Sequence, residues 1–147
     1  MSKAEKALEF FTTHNYNCAQ SVFTAYAVDY GIEKDEAIQL SVGFGGGMGR
    51  LQETCGAITG AIMVLGLVSG FKEADGRDKI NEVYAKVRRL AEDFTRSKGT
   101  LKCRDLLGCD LTSEEGHKFF TDNNLREKNC QNYIRLCCEL LDKYLKR

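Results

Sequence analysis

Residues 55–71 read Cys55-Gly56-Ala57-Ile58-Thr59-Gly60-Ala61-Ile62-Met63-Val64-Leu65-Gly66-Leu67-Val68-Ser69-Gly70-Phe71, a run of 17 residues without a charged side chain. A helix that is apolar on every side is buried, either in a protein core or in a membrane. A membrane span needs about 20 apolar residues, and this run is shorter, rich in glycine and lacks an asymmetry of basic residues at its ends. We therefore predict a buried central helix and no membrane insertion.

The segments around this run have the spacing of amphipathic helices. Apolar side chains recur every three or four residues from about Ser2 to Thr12, Asn17 to Tyr30, Asp35 to Val42, Ile80 to Phe94 and Cys130 to Tyr144. Short helical segments are expected at Cys103 to Leu107 and, after a capping box of Thr112 and Glu115, as far as Phe120. No segment alternates with a period of two. We predict an all-α, single-domain bundle over residues 1–147, with about five main helices plus short helical turns.

The composition limits the classes of function. The chain has 21 basic and 21 acidic residues, so no surplus of positive charge favours binding to nucleic acid. The seven cysteines are an odd number, which argues against a secreted scaffold with every cysteine paired. The charged N-terminal segment from Met1 to Lys6 does not resemble a signal peptide. These features predict a cytoplasmic protein.

The cysteines are widely spaced and form no C-x-x-C pair. A thioredoxin-type pair, a zinc knuckle and covalent haem attachment through C-x-x-C-H are therefore not expected, and any site must combine thiols from different helices. Cys55 opens the central helix, where the helix dipole is expected to lower its pKa. His14 lies four residues before Cys18, a spacing that suits a metal pair, but a surface histidine is the favoured reading. His117 is also expected to be exposed.

A glycine-rich segment, Gly43-Phe44-Gly45-Gly46-Gly47-Met48-Gly49-Arg50, precedes the central helix. Five glycines in seven positions predict a loop. Its backbone N–H groups suit a small anion, although close backbone packing is the favoured reading. Within the central helix, small residues four apart predict a tight contact with another helix, in one subunit or across a homodimer, or room for a flat ligand. The candidate ligand-binding residues are Gly45, Gly46, Gly47, Gly49, Arg50, Gly56 and Gly60.

Several short motifs resemble one known family. They are Asn17-Cys18-Ala19-Gln20, Gly45-Gly46-Gly47-Met48-Gly49-Arg50, Cys55-Gly56-Ala57-Ile58-Thr59-Gly60-Ala61, Cys103-Arg104-Asp105-Leu106-Leu107-Gly108 and Cys130 near the start of the last helix. In this order they resemble the C-GCAxxG-C-C family, which is described as redox-active. The resemblance implies four signature cysteines, Cys18, Cys55, Cys103 and Cys130. Some relatives resemble haem-bearing split-Soret cytochromes, but the attachment motif is absent here.

These observations lead to one main hypothesis and two alternatives. The main hypothesis is thiol–disulfide or electron-transfer chemistry by a thiol-based oxidoreductase, with Cys55 as the attacking thiolate and Cys18 as its resolving partner. In the first alternative, Cys18, Cys55, Cys103 and Cys130 hold a metal ion or an iron–sulfur cluster. In the second, the glycine segment binds a small anionic ligand. The remaining cysteines, Cys109, Cys137 and Cys138, are expected to pack as small apolar residues. The redox partner or small-molecule substrate is not identified by the sequence.

Overall fold

The computed structural model describes residues 1–145, which fold into eight α-helices without a β-strand. The helices are α1 (Lys3–Thr12), α2 (Cys18–Ala27), α3 (Lys34–Ser41), α4 (Gly56–Ser69), α5 (Arg77–Lys98), α6 (Cys103–Leu107), α7 (Glu114–Asp122) and α8 (Gln131–Leu145). The predicted all-α class is confirmed. The eight helices include α6 and α7, which were expected as short helical segments, so the other six stand against the predicted count of about five.

Helices α2 and α4 form the centre of the fold. Helix α2 contacts α1, α3, α4 and α8, and nearly all of its side chains are buried. A Cβ atom on Gly60 of α4 would lie 2.8 Å from the carbonyl oxygen of Ala19 in α2. The small residues of α4 therefore pack against α2 within one chain. The predicted homodimer receives no support from this contact and stays a prediction.

The glycine segment is a loop of unusual handedness. After a 3₁₀ turn at Val42–Phe44, residues 46–50 all have positive φ, including the non-glycine residues Met48 and Arg50. The N–H of Gln52 donates to the carbonyl of Gly46 at 3.1 Å, and the N–H of Glu53 donates to the carbonyl of Gly47 at 3.0 Å. The segment is thus a left-handed turn, which only glycine adopts without steric cost.

Two local predictions need correction. The capping box at Thr112 is wrong: α7 is capped by Ser113, whose hydroxyl accepts from the N–H of Gly116 at 2.9 Å. Thr112 instead donates through its N–H and its hydroxyl to the carboxylate of Asp110.

On α5, the apolar stripe is buried only in its second half, at Leu90 and Phe94, whereas Tyr84 is 54% exposed.

The uncharged run forms a shorter helix than its sequence suggests. Helix α4 has 14 residues and ends at Gly70, which has a left-handed backbone. Within residues 1–145, no helix combines the length and the apolar character that a membrane span requires.

Candidate functional site

Four cysteines from distant parts of the chain line one cavity of about 470 Å³. Cys18 is the first residue of α2, Cys55 directly precedes α4, Cys103 is the first residue of α6, and Cys130 ends the π-helical turn Arg126–Cys130 before α8. All four are free thiols. The cavity thus contains the complete set of signature cysteines expected from the sequence.

Cys18 is positioned by a capping box at the start of α2. The side chain of Asn17 accepts from the N–H of Gln20 at 2.9 Å, and the side chain of Gln20 accepts from the N–H of Asn17 at 3.0 Å. The amide of Asn17 also donates to the carbonyl of Val42 at 2.9 Å. Any side chain at Gly45 would collide with Asn17. The Asn17-Cys18-Ala19-Gln20 motif therefore fixes the helix start and the adjoining glycine segment together.

Cys55 and Cys103 are held side by side by a short antiparallel backbone pairing. The N–H of Cys55 donates to the carbonyl of Leu101 at 2.8 Å, and the N–H of Cys103 donates to the carbonyl of Glu53 at 2.7 Å. Thr54 and Lys102 form an isolated bridge between them. A Cβ on Gly47 would lie 2.7 Å from the Cβ of Cys103, so the left-handed turn needs glycine at this point.

Gln52 stabilises the same region from inside the protein. Its side chain is buried; the amide donates to the carbonyl of Cys109 at 2.8 Å and accepts from the N–H of Leu111 at 2.8 Å. It thereby links the segment before Cys55 to the loop after α6. Sequence reasoning missed Gln52, because nothing in its local sequence distinguishes a buried glutamine from a surface one.

The structure contradicts the expected low pKa of Cys55. Burial raises the pKa of its thiol to about 12, although the backbone N–H groups of Ala57 and Ile58 act in the opposite direction. Loss of water around a thiolate outweighs the favourable end of the helix here. Burial likewise raises the pKa of Cys103, to about 11.

Cys130 is the cavity thiol whose pKa is lowered. The Cys18 thiol lies within hydrogen-bonding reach of the Cys130 sulfur, which favours the Cys130 thiolate, and the Arg126 guanidinium adds a favourable charge. The pKa of Cys18 is correspondingly raised, because it keeps its proton in this contact and is partly removed from water. Arg126 donates to the carbonyls of Phe11 and Tyr16 at 2.9 and 3.0 Å, which fix its position. Sequence reasoning did not single out Arg126.

Most of the predicted ligand-binding residues reach this cavity. Gly45, Gly46, Gly47, Gly49, Arg50 and Gly56 line it, whereas Gly60 does not. The N–H groups of residues 49–53 donate to carbonyls within the loop itself, so they are not directed at a ligand. His117 is exposed as predicted, and it also lines the cavity. Among the side chains of the lining, Arg50 and Arg126 supply positive charge.

Other candidates lie elsewhere. His14 is 3.9 Å from Glu9 and does not line the cavity. Cys137 and Cys138 are fully buried in the core, as expected for residues that pack as small apolar side chains. Cys109 is half-buried outside the cavity. Within residues 1–145, no three side chains of the His, Cys, Asp and Glu types are arranged to hold a metal ion.

Comparison with known proteins agrees with these motifs. The family described as "Putative redox-active protein (C_GCAxxG_C_C)" matches residues 16–144, which include all four cavity cysteines. An "Uncharacterized protein" of Archaeoglobus fulgidus is 32% identical over 127 residues, covering 78% of this chain and 83% of the relative. No solved structure shows significant similarity. The chain belongs to the C_GCAxxG_C_C family.

Proposed function

We propose that this protein is a thiol-based oxidoreductase in which Cys130 is the attacking thiolate and Cys18 is the resolving thiol. The observation that carries the proposal is the contact between these two side chains inside the cavity. Thiol–disulfide exchange needs one thiolate and a second thiol within reach of it. Cys130 replaces Cys55 in the attacking role because the Cys55 thiol is held protonated by burial.

The reaction balances as an ordinary two-electron exchange. The Cys130 thiolate attacks one sulfur of a substrate disulfide, which breaks its S–S bond and releases the first substrate thiolate. Cys18 then gives its proton to the first substrate thiolate and attacks the Cys130 sulfur, which breaks the mixed disulfide and releases the second substrate thiolate, protonated by solvent. The protein gains a Cys18–Cys130 disulfide, and the substrate disulfide is reduced to two thiols. The reverse sequence oxidises a dithiol.

Cys55 and Cys103 complete the site as neutral thiols. The raised pKa values of both keep them protonated near neutral pH, so neither competes with Cys130 as the nucleophile. A thiolate at either position would also repel the Cys130 thiolate. Their protonation therefore preserves the charge distribution on which the reactivity of Cys130 depends.

Thiol mapping by mass spectrometry tests the proposal. The reduced protein is treated with a small disulfide and its free thiols are counted; we expect a Cys18–Cys130 disulfide and the loss of two thiols. Cys109→Ser, outside the cavity, is the control and should give the same result, whereas Cys130→Ser should form no such bond. Oxidation that yields no disulfide between Cys18 and Cys130 would contradict the proposal.

The same material tests the metal alternative. The alternative rests on the number of thiols in the cavity, because four cysteines suit both zinc and iron–sulfur clusters; as they lie within residues 1–145, these thiols are not arranged around a metal ion. Metal analysis and a visible spectrum of protein purified without oxygen separate the two functions. Stoichiometric metal that is lost in Cys18→Ser and Cys130→Ser alike, but kept in Cys109→Ser, would favour the metal site over thiol exchange.

A further inference from the structure

We infer that the substrate of this site is a small anionic disulfide or thiol, and not a disulfide carried by another protein. The inference rests on the proposed function, since it assigns the class of molecule that Cys130 attacks. It is drawn from the burial of the thiols, the size of the cavity and the charge of its lining.

Burial limits the size of the reacting molecule. Cys55, Cys103 and Cys130 are only 4%, 7% and 9% exposed and Cys18 is half-buried. All four line a cavity of about 470 Å³ that opens to the surface beside Val42 and Arg50. Pockets that bind small molecules are of about 300–1,000 Å³. A disulfide on a folded protein would have to bring its own backbone into this space, whereas a small molecule fits within it.

The charge of the lining favours an anion. Two arginines, Arg50 and Arg126, and one histidine, His117, line the cavity. No aspartate or glutamate among residues 1–145 lines it. Within that range neither arginine is paired with a carboxylate: Arg126 is held by backbone carbonyls, and no ion pair involves Arg50. Their charges are therefore not neutralised inside the protein, and a negatively charged ligand would be attracted to both.

Arg50 is the side chain placed to select for charge. It is exposed and lies at the end of the left-handed turn, whereas Arg126 is half-buried beside Cys130 and anchored to α1. Phe11, Leu106, Leu111 and Phe120 form much of the remaining lining. The expected ligand thus combines an anionic group with an apolar body next to its sulfur.

Two aromatic disulfides of different charge test this inference. Dithiobis(nitrobenzoate) is an aromatic disulfide with two negative charges, and dithiodipyridine is a neutral one. The rate of modification of Cys130 in the reduced protein is measured by mass spectrometry for each probe and divided by the rate with free cysteine. We expect the anionic probe to be favoured, and the preference to weaken as salt is added.

Substitutions of Arg50 test whether its charge causes the preference for the anionic probe. Arg50→Gln should slow the anionic probe about five-fold relative to the neutral probe, as expected for loss of one nearby charge. Arg50→Lys should keep the preference, and Arg77→Gln, on a surface helix start outside the cavity, should have no effect.

The outcomes separate this inference from the proposed function. Equal relative rates for both probes at Cys130, insensitive to Arg50→Gln, would overturn the anionic substrate but leave thiol exchange intact. A protein disulfide that oxidises Cys130 as fast as the small probes would overturn the size limit alone. If neither probe modifies Cys130 ahead of the other cysteines, the proposed function itself fails.

Discussion

Cys130 and Cys55 line the same cavity, yet their thiols differ in acidity. Two backbone N–H groups act to lower the pKa of Cys55, but burial raises it to about 12. Cys130 is also buried, and its pKa is nevertheless lowered by the Cys18 thiol and the charge of Arg126. A direct hydrogen bond and a nearby cation therefore matter more here than a helix end, because both act at the sulfur itself.

The contact with Cys18 predicts a measurable pH dependence. The pKa of Cys130 lies below its ordinary value of 9.0, so its thiolate forms at lower pH than that of an ordinary cysteine. The rate of alkylation of Cys130 by iodoacetamide should therefore reach half its maximum below that pH. In Cys18→Ala the half-point should move to higher pH, because the hydrogen bond is lost while the burial remains.

The control for this measurement is Cys109→Ser, which should leave the half-point unchanged. An unchanged half-point in Cys18→Ala would show that the contact does not lower the pKa of Cys130. Mass spectrometry of the labelled peptide follows Cys130 separately from the other six cysteines.

The residues that sequence reasoning found and missed differ in a physical way. The four cavity cysteines were identified because their motifs stand in a specific order along the chain. Gln52 and Arg126 were not, because their roles depend on partners far away in sequence, such as the carbonyls of Cys109 and Phe11. A side chain whose role depends on a hydrogen bond to a distant backbone carbonyl leaves no recognisable pattern in the neighbouring sequence.

Between helices, the contact of α4 with α2 gives a matched pair of variants. In Gly60→Ala the new methyl group would lie 2.8 Å from the carbonyl of Ala19, so the helices must separate. We expect a loss of about 2 kcal/mol in the free energy of unfolding. Gly66 lies on the same helix with no atom within 4 Å of a Cβ, so Gly66→Ala should gain about 0.5 kcal/mol through helix propensity.

Urea unfolding of both variants measures the difference. Equal stability of Gly60→Ala and Gly66→Ala would contradict the close packing of α2 and α4. Because Gly56 and Gly60 belong to one face of α4, Gly60→Ala should also slow the reaction at Cys130, whereas Gly66→Ala should leave it unchanged.

The glycine segment shows which features of a loop can be predicted from its local composition. Its composition correctly predicted that no ordinary helix forms there. The left-handed turn at residues 46–50 could not be predicted, since it includes Met48 and Arg50 at positive φ. Such backbone conformations cost about 1–2 kcal/mol per residue, and here the hydrogen bonds from Gln52 and Glu53 to the turn compensate.

For the whole molecule, the oxidation state should change stability. A disulfide between Cys18 and Cys130 would close a loop of more than one hundred residues, which restricts the unfolded chain strongly. We expect the oxidised protein to be more stable by about 4 kcal/mol. Urea unfolding of the oxidised and reduced forms measures this, and Cys130→Ser should show no difference between them. If the oxidised wild-type protein is no more stable than the reduced form, the Cys18–Cys130 disulfide does not form without strain at this site.

The bundle itself was largely predictable, because helical periodicity marks the amphipathic helices, an uncharged run marks α4, and nothing in the chain alternates as a strand would. The arrangement of the helices was not. Helix α2 lies as centrally as the uncharged α4, since α1, α3 and α8 all pack around it, and no pattern within its own sequence specifies those three neighbours.

The order of the cavity's parts along the chain has a consequence for biosynthesis. A ribosome makes Cys18 and Cys55 first, while the turn that carries Arg126 and Cys130 follows only after most of the chain has emerged. Until then the thiols of Cys18 and Cys55 lack the contact with Cys130 and are not covered from solvent. The nascent chain is therefore expected to be most open to oxidative damage before synthesis reaches α8, and the finished fold protects the thiols that it brings together.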